Sequence, residues 1–89
     1  MARILINPDE VEAVAKEFQA KREQSLQIIN ALNQRIQSLE GQWEGMTKRS
    51  FFRDFQEAKK NMDNFAQLLE NISQALTQIA TKFRQTDQA

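Results

Sequence analysis

In the second half of the chain, Phe51, Phe55, Ala58, Met62, Phe65, Leu69, Ile72, Leu76, Ile79 and Phe83 follow one another at alternating steps of four and three residues, with no polar residue in the series. This is the seam of an amphipathic helix that winds against a neighbour in a left-handed supercoil. The first half carries the same spacing at Phe18, Arg22, Ser25, Ile29, Leu32, Ile36 and Leu39, with Val11, Val14 and Ala15 upstream of it. Arg22 and Ser25 interrupt this seam. An arginine there lays its stem along the apolar stripe and lifts its head to water.

The ends of both periodic segments are marked. Asn7 followed by Pro8, with Glu10 three residues after the asparagine, reads as an N-cap, a proline at the first helical position and a capping-box partner. Ile6 and Val11 stand at the positions of a hydrophobic staple. The first helix is expected over about 8–39. The segment Glu40-Gly41-Gln42-Trp43-Glu44-Gly45 is the only strong punctuation in the chain. Gly41 suits the left-handed position after a helix end, and Gly45 permits a sharp reversal. A second helix is expected over about 46–84, with Thr47 as a candidate cap, followed by a tail at 85–89 that loses periodicity and frays. A connection as short as 40–45 between two long helices folds them back antiparallel. Residues 1–89 thus read as one all-α domain, a helix-turn-helix hairpin.

A second stripe flanks each seam: Phe52, Ala66, Leu68, Ser73, Ala75 and Ala80 on the second helix, and Leu26, Ile28 and Ala31 on the first. A two-helix hairpin buries one stripe per helix, so the remainder calls for another surface. Pairing two hairpins into a four-helix bundle supplies it, by default through a two-fold interface with a second copy. Phe18, Ile29, Leu32, Ile36, Phe55, Met62, Phe65, Leu69, Ile72 and Leu76 are the residues expected to form the hairpin and dimer seam.

Composition narrows the chemistry. The chain has no histidine and no cysteine, which removes disulfides, histidine acid–base catalysis and the commonest zinc sites. Its serines lack a histidine to activate them, and its carboxylates sit at caps, beside the turn or off the seam rather than facing one another across a pocket. No catalytic, cofactor-binding or metal site is expected, and the chain is not an enzyme on this reading. Twelve basic residues balance twelve acidic ones, and Lys48, Arg49 and Arg53 are followed by Asp54 and Glu57. Nucleic-acid binding needs a basic surface that this mixture does not offer. The residues before Pro8 lack the run of about 7 to 15 apolar residues of a cleavable secretory signal, and no stretch approaches the roughly 20 of a membrane span. The mixed charge of the polar faces also speaks against a helix that seeks and disrupts membranes. Twelve glutamines are spread through the helices as uncharged polar positions. Trp43 has two readings: a ring that covers the open end of the hairpin, or an exposed anchor for a partner.

A hairpin of this length with Trp43-Glu44-Gly45 in its single turn resembles the WXG100 family of small ESAT-6-like proteins, and the resemblance covers essentially the whole chain. Phe83-Arg84-Gln85-Thr86-Asp87 resembles the family's C-terminal export signal, Tyr-x-x-x-Asp or Glu, with phenylalanine in place of tyrosine. The resemblance implies export through a type VII secretion system without a cleavable signal, from cytoplasm to the outside. It implies a membrane ATPase that reads the tail together with the dimer. Trp43 and Gly45 would form the turn and recognition motif, and Phe83 and Asp87 the secretion signal. Family members pair as homodimers or as heterodimers of two paralogues, and the self-sufficient amphipathic pattern and zero net charge here favour the homodimer; the resemblance implies that it acts as secreted effector or as co-secretion partner of a larger protein. The competing reading is an intracellular helical adaptor or chaperone that binds a toxin or other larger protein.

Overall fold

A computed structural model of the chain describes residues 6–43 and 46–88. Two helices account for nearly all of them: α1 spans Pro8–Glu40 and α2 spans Met46–Gln88. They lie antiparallel as one hairpin with dimensions of 67 × 21 × 18 Å. The long dimension is that of α2 itself, since its 43 residues at 1.5 Å each extend about 64 Å.

The start of α1 follows from its capping residues. The Asn7 side-chain oxygen accepts from the Asp9 N–H at 2.9 Å, the Asn7 carbonyl accepts from the Val11 N–H at 3.1 Å, and Pro8 opens the helix where a missing N–H costs nothing. Asp9 and Glu10 place negative charge at the positive end of the helix. The end of α1 departs from expectation. Gly41 has φ −71° and ψ −16°, right-handed rather than left-handed. The Gln42 N–H donates to the Leu39 carbonyl at 2.9 Å, a tightened last turn that satisfies the terminal carbonyl without a positive φ. Gly45 lies outside the described residues, as do the side chains of Thr47 and Asp87.

The far end of α2 also differs. The helix continues beyond the boundary expected near 84, through residues expected to fray, to Gln88. Neither glycine nor proline occurs after Gly45 to stop it. Thr81 and Thr86 return their hydroxyls to carbonyls one turn back, at 3.0 Å each, and Arg84 is tied to α1.

The core is made of small side chains. Ala15, Ala66, Ser73 and Ala80 are buried together with Ile29 and Leu69, and Ala80 is 0 % exposed. Ala66, Ser73 and Ala80, expected in the flanking stripe, therefore lie at the centre of the hairpin. Phe65 and Ile79, expected in the continuous seam, are exposed, while Phe55, Met62, Ile72, Leu76 and Phe83 are half-buried. Volume explains the rotation. Where two helix backbones come closest only alanine or serine fits, and a phenylalanine at the same place would hold them apart.

Candidate functional site

Three features of the hairpin are available for recognition: its aromatic turn, one apolar flank and the end of α2.

At the turn, Trp43 leaves α1 and packs on the first turns of α2. Its ring centroid lies 5.1 Å from that of Phe51 and 6.1 Å from that of Phe52. Phe51 meets Phe52 edge-on at 5.6 Å and stacks with Phe55 at 6.5 Å. These separations are those of favourable aromatic pairs. Trp43 is half-buried and Phe51 exposed at the same end, so the cluster both closes the hairpin and leaves ring surface accessible.

Along the body, Val14, Ile28, Leu32 and Leu39 of α1 and Phe51, Phe65, Leu68 and Ile79 of α2 are exposed; Ile28, Phe65 and Leu68 are each more than half so. Helical geometry gathers them. At about 100° per residue, the α1 set lies roughly 60–100° to one side of Ile29, and Phe65, Leu68 and Ile79 lie roughly 80–140° to the same side of Ser73. Because the helices are antiparallel, the same sense of rotation carries both stripes to one flank. The opposite flank holds Gln19, Asn30, Gln37, Gln67, Gln74 and Thr81, all polar. The hairpin is thus two-sided, richer in apolar residues on one broad face and polar, with amides and charges of both signs, on the other. Glu17, Lys21 and Arg35 of α1 and Asp54 of α2 share this flank, and an exposed apolar stripe of this length with charges among it marks a protein–protein contact.

At the open end, Arg84 reaches from α2 to the first turns of α1. One guanidinium nitrogen donates to the Asp9 carboxylate at 2.7 Å and the other pairs with Glu12. Hydrogen bonds to Asp9 and then to Glu12 hold the guanidinium above its ordinary range, against a weaker opposing effect of desolvation. A second ion pair crosses the hairpin between Arg22 and Glu70 at 3.0 Å. Arg22 also meets its neighbour Glu23 at 2.9 Å. Arg22 is therefore a paired charge at the seam rather than one lifted only to water. Glu70, expected off the seam, is its partner. These cross-helix pairs have only an indirect trace in the sequence: antiparallel folding brings a basic residue near one end of α2 opposite acidic residues at the start of α1.

The expected site residues fall into separate groups. Trp43 stands at one end of the rod, and Phe83, half-buried, on α2 near the other. Ile29 and Leu69 are enclosed between the helices, Phe18, Ile36, Phe55, Met62, Ile72 and Leu76 are half-buried, and Leu32 and Phe65 are open on the apolar flank. Among the described residues no cluster of three or more histidines, cysteines or carboxylates is placed to hold a metal ion. No helix among them is long and apolar enough to cross a membrane.

Comparison with known proteins gives a consistent set of relatives. The family model WXG100, proteins of 100 residues with WXG, matches residues 3–88. The ESAT-6-like protein SAG1039 of Streptococcus agalactiae is 36% identical over 87 residues, covering 98% of this chain and 91% of that protein. The type VII secretion system extracellular protein A of Staphylococcus aureus is 32% identical over 88 residues, covering 99% and 91%. Among solved structures, the secreted protein EsxB of Bacillus anthracis superposes with a TM-score of 0.86 at 42% identity, over 98% of this chain and 99% of that one. EsxA of Geobacillus thermodenitrificans superposes with a TM-score of 0.83 at 30% identity, over 99% and 95%.

Proposed function

The chain belongs to the WXG100 family, the ESAT-6-like proteins of type VII secretion, and from that premise we propose that it is exported folded, as a homodimer, without a cleavable signal. It acts through protein–protein contacts, as a secreted effector or as the co-secretion partner of a larger protein. It does no chemistry of its own. The cytoplasmic dimer is the form that a type VII secretion ATPase engages, and Phe83 and Asp87 are the residues it reads.

The apolar flank carries this reading. Val14, Ile28, Leu32 and Leu39 on one helix and Phe65, Leu68 and Ile79 on the other leave a face that a lone hairpin cannot cover, and a second copy offers a face of matching length and character. A two-fold axis lets each copy cover the other's flank, giving a four-helix bundle with polar surfaces outward. Balanced charge is compatible with self-association, because neither copy repels the other. Trp43 and Gly45 of the turn serve as the second recognition element, at the end of the rod opposite the tail.

Two measurements test the proposal. The first is the mass of the purified chain in solution, expected near twice 10.4 kDa. The second is the fraction recovered from the medium of intact producing cells, compared between the native chain and the Phe83→Ala/Asp87→Ala pair. Abundant native export that the paired substitution abolishes, with cytoplasmic marker proteins retained, is the expected result. Retention of both chains inside cells with an active secretion system, together with one-to-one recovery of a larger protein, would replace this reading with that of an intracellular adaptor.

A further inference from the structure

Resting on the export reading above, we propose that Arg84 is the positioning residue of the tail: through Asp9 and Glu12 of α1 it holds the last turns of α2 helical and against the hairpin, so that Phe83 and Asp87, one turn apart, are offered as one rigid unit.

The geometry has three parts. Arg84 stands between Phe83 and Asp87 in sequence but does a different job, since its guanidinium is engaged inside the molecule, in contact with Asp9 at 2.7 Å and with Glu12. A planar guanidinium forked between two carboxylates fixes direction as well as distance. The contact joins residues 75 positions apart, at the open end of the hairpin, beyond Ala80, the last α2 residue fully enclosed among those described, where Val11 and Phe83 are half-buried. A helix end without tertiary support opens at little cost, so a modest tie there decides whether the last turn is formed. The helix does run on to Gln88, past Ala80, the last fully buried residue among those described.

The surroundings of the contact are charged but simple. Lys16, one turn beyond Glu12 on α1, approaches that carboxylate at 3.9 Å, and lines the same shallow depression as Asp9, Glu12, Ala13 and Arg84. Lys16 thus competes for Glu12 from the α1 side. At that distance it leaves both carboxylate contacts, to Asp9 and to Glu12, to Arg84.

A recognition role for the Arg84 side chain itself predicts something different from a positioning role. If the secretion machine read Arg84 directly, Arg84→Gln would impair export while changes on α1 would not. If Arg84 acts through the carboxylates, the pair Asp9→Asn/Glu12→Gln, in the other helix, impairs export to the same degree. Combining all three substitutions then adds nothing further, because each alone removes the same contact.

The experiment compares the native chain, Arg84→Gln, Asp9→Asn/Glu12→Gln and the triple variant by two readouts: amide hydrogen exchange over residues 82–88 of the purified protein, and the exported fraction from producing cells. The expected result is severalfold faster exchange at the tail and a severalfold drop in export, equal in all three variants, with exchange at Ile29 and Leu69 unchanged. Native-like exchange at the tail in either the Arg84 or the carboxylate variants overturns the inference, as does an export loss confined to Arg84→Gln. Faster exchange with undiminished export also overturns it, while leaving the export reading in place. Should the native chain itself stay inside the cells, the export reading falls and this inference falls with it as a statement about recognition, whereas the exchange measurement still reports whether the contact orders the tail.

Discussion

The Ser73 hydroxyl donates to the backbone carbonyl of Ala15 at 2.8 Å, a buried bond between residues 58 positions apart that only two closely approaching helices permit. A serine side chain is short, so the α1 backbone must lie within its reach. Ala15 and Ala80 beside it, at 1 % and 0 % exposure, mark the same close approach. Removing the hydroxyl and filling the space are then different injuries. Ser73→Ala forfeits one hydrogen bond and is expected to cost about 0.5–1.5 kcal/mol. Ser73→Leu adds volume where there is none, and overpacking costs about 1–3 kcal/mol beyond that loss. Thermal melts that rank leucine below alanine would agree; equal melts would mean the helices are farther apart than described.

Gly41 is expected to tolerate a side chain. Its φ of −71° is open to any residue, and an added Cβ meets nothing within 4 Å. Gly41→Ala should stabilise the protein by about 0.4–1 kcal/mol, because alanine has fewer unfolded conformations to lose. A chemical denaturation curve with an unchanged slope and a higher midpoint is the outcome to look for, and a lower midpoint would restore the left-handed turn that the sequence alone suggests.

Among the described residues of α2, Leu69 is the one bulky side chain enclosed between the helices. Leu69→Asp places a charge there with no partner, and the loss should exceed about 3 kcal/mol. For a hairpin of this size that is expected to abolish the cooperative helical melt followed by circular dichroism. A melt close to that of the native chain would contradict the placement of Leu69.

Phe65 and Leu68 should behave in the opposite way. Both are more than half exposed on the apolar flank, so Phe65→Ser/Leu68→Ser removes little from inside the hairpin. The expected outcome is retained helicity at low temperature with a solution mass near that of one chain, as measured by light scattering. Loss of helix at every concentration would show that these residues support the hairpin itself, and an unchanged double mass would move the interface elsewhere.

Much of this architecture is legible before any coordinates. Asn7-Pro8 marks the start of α1 because only a cap and a first-turn proline suit that pair, and the single glycine-bearing break at 40–45 leaves the chain no way to go but back. The phase of the packing is harder to read. On α2 two apolar stripes lie side by side, and hydrophobicity favours the one with Phe65 and Ile79, whereas close approach of backbones selects the one with Ala66, Ser73 and Ala80. The deciding property is volume, which a pattern of apolar and polar letters does not contain. Arg22 shows the same limit. It reads as an intrusion in the seam until the register of the two helices brings Glu70 to it at 3.0 Å. Arg84 reads as one more residue of a tail until Asp9 faces it. Both pairings depend on which turn of one helix lies beside which turn of the other, and that is set by the small-residue contact rather than by the charges.

The slender section of the hairpin has a consequence for passage through a membrane conduit. Travelling end-on, a rod 67 Å long presents an outline of only 21 × 18 Å, and a second hairpin laid on its apolar flank thickens one side of that outline without lengthening the other. If two copies pair as proposed, an aperture wide enough for a four-helix bundle would admit them without unfolding, with the apolar flanks turned inward and polar side chains toward the wall.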